Sequence, residues 1–155
     1  MIGSENKMNA WFKKILAGVI ILFLLAAGTA WYFLNERFSD TSGAIPDFTV
    51  NALDMLHEFE KNDRLANEKY TEKIVVVNGM VSDVEAADTT VNIKMADTVS
   101  GAYMIFAFQQ QHLDEAKKIK RGDKVSIKGS CSGGAYSQIL ETEFITFKRC
   151  ALNHL

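Results

Sequence analysis

Histidine occurs three times, cysteine twice and proline once in these 155 residues. His57, His112 and His154 are scattered, with no cysteine or carboxylate at metal-ligand spacing, so no metal centre is expected. A lone histidine such as His57, set between Leu56 and Glu58, reads as a boundary residue of a helix. A phosphate loop is also missing. Gly-Ser-Cys-Ser-Gly-Gly at 129–134 leads out of a strand and not into a helix. Gly129-Ser130-Cys131-Ser132-Gly133 has the letters of a nucleophile elbow, without the following helix or a credible triad partner. Asp114 and Glu115 read as a solvated first helical turn, where the helix dipole favours carboxylates. The chain therefore reads as a non-enzyme with no catalytic residue, cofactor or metal.

Positive charge is not in excess. Residues 38–155 hold 13 Lys+Arg against 17 Asp+Glu, a net of −4. A nucleic-acid domain draws much of its affinity from phosphate neutralisation and is usually basic. That class is disfavoured.

One long apolar run is present. Ile15 to Leu34, ILAGVIILFLLAAGTAWYFL, contains no charged residue. At about 1.5 Å per residue its 20 residues span about 30 Å, the thickness of a bilayer core. Trp11 and Phe12 at one end, and Trp31 and Tyr32 at the other, suit an interfacial aromatic belt. Lys7, Lys13 and Lys14 precede the run; Glu36, Arg37 and Asp40 follow it. The lysine bias places residues 1–14 in the cytoplasm and residues 38 onward outside, with the run between as a single-pass membrane anchor. A cleaved signal peptide is the competing reading, with Gly28-Thr29-Ala30 as a cleavage site. The run is long for that, and no cysteine follows it to carry a lipid. Residues 35–48, which hold Pro46, read as a linker.

Beyond the linker the pattern is first helical, then alternating. Asn51 suits an N-cap, Asp54 the first turn, and Leu53, Leu56 and Phe59 an apolar face that Leu65, Ala66 and Tyr70 continue. Asn62-Asp63 can restart a second helix. Strands are expected at 73–84, 91–95, 103–108, 124–130 and 138–147, with a helix between Gln109 and Lys120. Lys117, Lys118, Lys120 and Arg121 would sit in that helix's last turn, Gly122 would cap it, and Gly133-Gly134 would turn the final hairpin. A helix between the third and fourth of five strands is the layout of an oligonucleotide/oligosaccharide-binding (OB) barrel. The fold class is thus α+β, mostly β: a five-stranded OB-type barrel over 49–150, an N-terminal helix before it and a tail at 151–155.

These residues also resemble a family. Leu56, Phe59, Asn62, Ala66-Asn67, Lys69-Tyr70, Lys73, Val75, Val77, Gly79 and Val81, then Gly122, Asp123, Val125, Ile127 and Gly129, follow the pattern of the bacterial tRNA_anti-like family over about 48–147. The resemblance implies an OB fold, frequent export or membrane anchoring, and no established activity. It also implies a cysteine near the position of Glu143.

Cys131 and Cys150 suggest a disulfide in an exported domain. With a hairpin turn at 133–137, about ten residues of strand at roughly 3.3 Å each separate them. A bridge needs Cα atoms within about 7 Å, so the bridge is disfavoured. The strand Tyr103–Phe108 is apolar on both alternating sets, and one set must be covered by the chain's own helix or by a partner. If a partner covers it, Tyr103 and Tyr136 are the expected contacts, since tyrosine joins apolar area to a polar tip. The function expected is a membrane-anchored, extracytoplasmic binding module that docks a protein or envelope component. A nucleic-acid-binding domain and an accessory subunit of a membrane complex are the alternatives.

The topology is testable. A reporter active only outside the cytoplasm, fused after Leu155, will be active, and Lys13→Glu with Lys14→Glu will weaken insertion. Activity from a cytoplasmic reporter alone reverses the orientation.

Overall fold

The computed structural model describes residues 10–34 and 40–154. Lys7, Glu36, Arg37 and the Phe12 side chain lie outside the described residues. The chain divides into two compact units, 1–39 and 40–155. The first unit is one helix, α1 (Ala10–Leu34), whose stretch Lys13–Tyr32 is long and apolar enough to cross a membrane, with a mean hydropathy of 2.2. Thr29 Oγ1 donates to the Leu25 and Ala26 carbonyls at 3.0 and 2.9 Å, so this hydroxyl needs no water.

Among the described residues the second unit holds seven strands, not five. They are β1 (Phe48–Asn51), β2 (Ile74–Met80), β3 (Asp83–Ala86), β4 (Val91–Ala96), β5 (Tyr103–Phe108), β6 (Lys124–Ser137) and β7 (Thr142–Leu152), in the order β1-β2-β6-β7-β5-β4-β3. Two causes account for the extra strands. Phe48–Asn51, expected to begin the helix, first pairs in parallel with Val75–Asn78. The expected first strand is broken at Val81-Ser82, where the chain changes partners within one residue. Val81 N–H bonds the Asp123 carbonyl on the β6 side, and Ser82 N–H bonds the Lys94 carbonyl on β4. Because β2 and β3 continue one another, the sheet closes on itself through this bend.

Inside lie alternate residues of each strand. Val75 and Val77, Ile93 and Met95, Met104 and Phe106, and Ile145 and Phe147 form one apolar cluster. Helices α2 (Ala52–Lys61) and α3 (Asp63–Tyr70) complete it. Asn51 caps α2 through Leu53 N–H at 3.0 Å, and Asn62 caps α3 through Leu65 N–H at 3.0 Å. Met55, Leu56, Phe59 and Tyr70 are fully buried, whereas Leu53 and Leu65, expected on the apolar face, are exposed. Two glycines let α2 sit this close. A β-carbon on Gly79 would stand 2.7 Å from the Ala52 methyl and 2.6 Å from the Met95 sulfur. One on Gly134 would stand 2.5 Å from the Phe59 ring.

Several boundaries differ from expectation. Gly133 and Gly134 lie within β6; the turn is Gln138–Glu141, with Ile139 and Leu140 exposed at its tip. The glycines give clearance to the helices rather than a reversal. The connecting helix α4 is only Leu113–Ala116, after a 3-10 turn at Gln110–His112, so Lys117 to Arg121 follow the helix and do not end it. Gly122 does adopt positive φ, +92°. The presumed linker is partly structure: buried Lys128 donates through Nζ to the Ser42 and Ala44 carbonyls, both at 3.0 Å. Asp47 exchanges backbone and side-chain bonds with Ile74. The domain unit therefore begins at Asp40, not 49, and β7 runs through Ala151-Leu152 into the expected tail.

Val77→Asp puts an unpaired carboxylate in this interior and will cost roughly 4 kcal/mol or more. Gly134→Ala will cost about 1–3 kcal/mol by pressing on Phe59. A Gly134→Ala chain that melts like the parent would mean that α2 does not rest there.

Candidate functional site

A groove of about 900 Å³ opens where four segments of the domain meet. They are the start of α2, the β2–β3 bend, the β4–β5 turn and the start of β6. Apolar side chains dominate its lining, and Leu53, Met80 and Val99 are open to solvent, Val99 at 94%. Each wall has a local cause. Asp97 shapes the β4–β5 turn: its Oδ1 accepts from Val99 N–H at 2.8 Å and its Oδ2 lies 3.0 Å from His57 Nε2. The Val99 amide, and after it His57, hold this carboxyl below the usual carboxylate range. On the opposite wall, Asp123 Oδ2 accepts from Lys120 N–H at 2.8 Å and Gly122 N–H bonds the Val81 carbonyl at 2.8 Å. That turn sets Arg121 and Lys124 on the groove. Among the described residues, neither has a salt-bridge partner.

His57 is therefore not alone. Ligand atoms of His57, Glu60 and Asp97 lie within 4.8 Å of one another. Both Asp97 oxygens already have partners, and the set reads as a tie between α2 and the β4–β5 turn. His57 and Asp97 are 40 positions apart, and sequence spacing carries no sign of the pair.

Tyr103 and Tyr136 are not brought together. Tyr103 is paired with Phe144, and Phe144 with Ala135, so these three share one face of the sheet. Tyr136, next along the strand, faces the other side with Glu143. The single contact surface drawn from the sequence is thus two surfaces. Tyr103 instead joins two residues that the sequence reading passed over. Its ring stacks on Phe144 with centroids 6.0 Å apart, and Lys94 Nζ stands 4.0 Å above it. Alternation held the signal: Ile145 and Phe147 point inward, which turns Phe144 out. The outer set of β5, Tyr103, Ile105 and Ala107, is half-buried.

Cys131 and Cys150 are buried, unbonded thiols. The separation expected between them falls with the misplaced turn. Cys131 is paired with Phe147, three residues from Cys150. Burial pushes the Cys131 thiol up to about 11 and raises Cys150 as well. Glu143, where relatives are expected to carry cysteine, is raised by burial and by the nearby Asp63 and Glu60.

The residues of the recognised pattern now have places. Asn62 caps α3, and Asn67 bonds both N–H and C=O of Gly134 at 2.9 Å. Lys69 and the Tyr70 hydroxyl both reach Glu58. The profile of the tRNA_anti-like family matches residues 7–143. The chain belongs to the tRNA_anti-like family. The match starts well before the 48–147 stretch on which the resemblance rested.

No curated protein matches this tRNA_anti-like chain. Its fold is similar to that of a candidate nucleic acid-binding lipoprotein from Klebsiella pneumoniae subsp. pneumoniae, at 17% identity and a TM-score of 0.54. The alignment covers 68% of this chain and 91% of that one. Two synthetases align more loosely. Asparaginyl-tRNA synthetase of Pyrococcus horikoshii is 13% identical at a TM-score of 0.36, over 54% of this chain and 20% of that one. A candidate aspartyl-tRNA synthetase of Leishmania major Friedlin is 10% identical at 0.43, over 74% and 22%. The chain thus spans about a fifth of each synthetase's length.

Asp97 supplies a pH test. A carboxyl held below its unfolded value of about 3.9 stabilises the fold above that pH, and the contribution fades as pH falls through the lower folded value. Asp97→Asn will lower the melting temperature at pH 7, and the gap from the parent will shrink below about pH 3.9. A gap unchanged down to about pH 2 would mean that the Asp97 charge is not what holds the turn.

Proposed function

We propose that the chain is a membrane-tethered, extracytoplasmic binding module of OB type, without catalytic activity. It holds an apolar part of an envelope component or protein partner in the groove. Counting β2 and β3 as one bent strand, five strands remain apart from β1, with α4 between the third and the fourth. This is the OB order. The carrying observation is the groove itself: Leu53, Met80 and Val99 converge on one concavity and stay open to water. Concentrated exposed apolar surface of this kind marks an interaction site. The apolar span Lys13–Tyr32 supports tethering by length and composition, and Lys7, Lys13 and Lys14, before the uncharged run Ile15 to Leu34, support a cytoplasmic N-terminus at the bacterial cytoplasmic membrane.

A specific observation also favours a second reading. Tyr103, Phe144 and Lys94 form an aromatic pair with a cation over it, the arrangement on which bases of a single strand can stack. The Klebsiella neighbour carries a nucleic-acid-binding name, and it is similar in fold alone. Against this stands the net of −4 over residues 38–155.

One experiment separates the two. A photo-crosslinking amino acid is placed at Met80, Val99 or Tyr103 of the membrane-bound chain in cells. Adducts of discrete mass are expected from Met80 and Val99. A nuclease-sensitive adduct from Tyr103, with none from the groove, would replace the first reading by the second.

A further inference from the structure

The groove's charge is at odds with its domain. Over an acidic unit, the only carboxylate among its lining residues is Asp97, and both of its oxygens are engaged. The two lining cations, Arg121 and Lys124, are exposed and, among the described residues, without salt-bridge partners. A neutral apolar ligand would gain nothing from them. An anionic head would gain charge-assisted hydrogen bonds, which are about twice as strong as neutral ones.

The backbone around the groove narrows the ligand further. The strands that line it have a neighbour on both sides, but one neighbour stops short at the groove: Gly79-Met80 extend beyond β1, Met95-Ala96 beyond β3 and Lys124-Val125 beyond β7. An extended peptide added to a sheet needs an unpaired strand edge for its main-chain bonds. The edges this groove offers are two residues long each, shorter than an ordinary strand of about three residues or more. A ligand whose body asks for no hydrogen bonds, and whose end carries negative charge, matches both the apolar lining and the cationic wall. At about 900 Å³ the space lies at the upper end of the ~300–1,000 Å³ usual for small-molecule sites.

We infer that the groove binds a free long-chain fatty acid, with the alkyl chain along Leu53, Met80 and Val99 and the carboxylate on Arg121 and Lys124. The inference rests on the groove being the binding site, and it adds the class of ligand.

The test uses the full chain in phosphatidylcholine nanodiscs. The probes are hexadecanoic acid with a mid-chain diazirine and the matching hexadecanol, and labelled peptides are mapped by mass spectrometry. The acid is expected to label peptides bearing Leu53, Met80 or Val99, and the alcohol to label them about tenfold less. Arg121→Ser with Lys124→Ser should cut labelling by the acid by a similar factor. Its melting temperature should be unchanged, since both side chains are exposed and, among the described residues, without salt-bridge partners. Equal labelling by acid and alcohol would overturn the anionic ligand while leaving the groove as the binding site. Labelling confined to the membrane helix with both probes would overturn the groove as well.

Discussion

The close seating of α2 on the curled sheet is the contact on which the domain depends. A sheet that closes on itself leaves an apolar interior open at its ends, and Met55, Leu56 and Phe59 fill that interior from the helix. Helix and sheet can meet at this distance only where the sheet presents no side chain. Gly79 makes room for Ala52 and Met95, and Gly134 for Phe59. The cluster that results is continuous from Ala52 to Cys150, with Tyr70 stacked on Phe59 at 6.1 Å and edge-on to Phe48 at 5.2 Å.

Around that contact the polar groups act as ties. Asn67 pairs with the Gly134 backbone as another strand would, holding α3 to β6. Lys128 is buried, but its Nζ is met by two carbonyls of the segment that leads into the domain. A buried ammonium with hydrogen-bond partners avoids much of the cost of desolvation, and here it fixes residues 41–44 against the sheet.

These ties explain what family membership conveys. Most pattern residues of this tRNA_anti-like chain are core side chains, helix caps and close-approach glycines, while Gly122 and Asp123 form the turn into β6. Those in the core and at the caps report how the helix pair joins the sheet. Most of the groove's distinctive side chains, Leu53, Met80, Val99, Arg121 and Lys124, fall outside that pattern. The recognised pattern thus reports a framework, and the chemistry of the groove is read from the side chains that stand on it.

The helical and strand segments were legible because their signals are local. Asn51 and Asn62 sit where caps must, Val75 and Val77 alternate into the interior, and the Lys13–Tyr32 span needs only length and composition. Misreadings arose where a residue answers to something distant. Gly133-Gly134 looks like a turn and is clearance for the helices; Ile139 and Leu140 look like strand and form an exposed tip. The break at Val81-Ser82 follows from two opposite hydrogen-bond partners, Asp123 and Lys94, which no window of sequence contains. The sequence by itself determined the apolar helix, the caps of α2 and α3 and the inward face of β2, because periodicity and capping act over a few residues. Only the tertiary structure decided where the sheet closes, that Tyr103 meets Phe144 rather than Tyr136, and that four separate segments form one groove. Those depend on register and on the clearance between packed elements, which neighbours along the chain do not set.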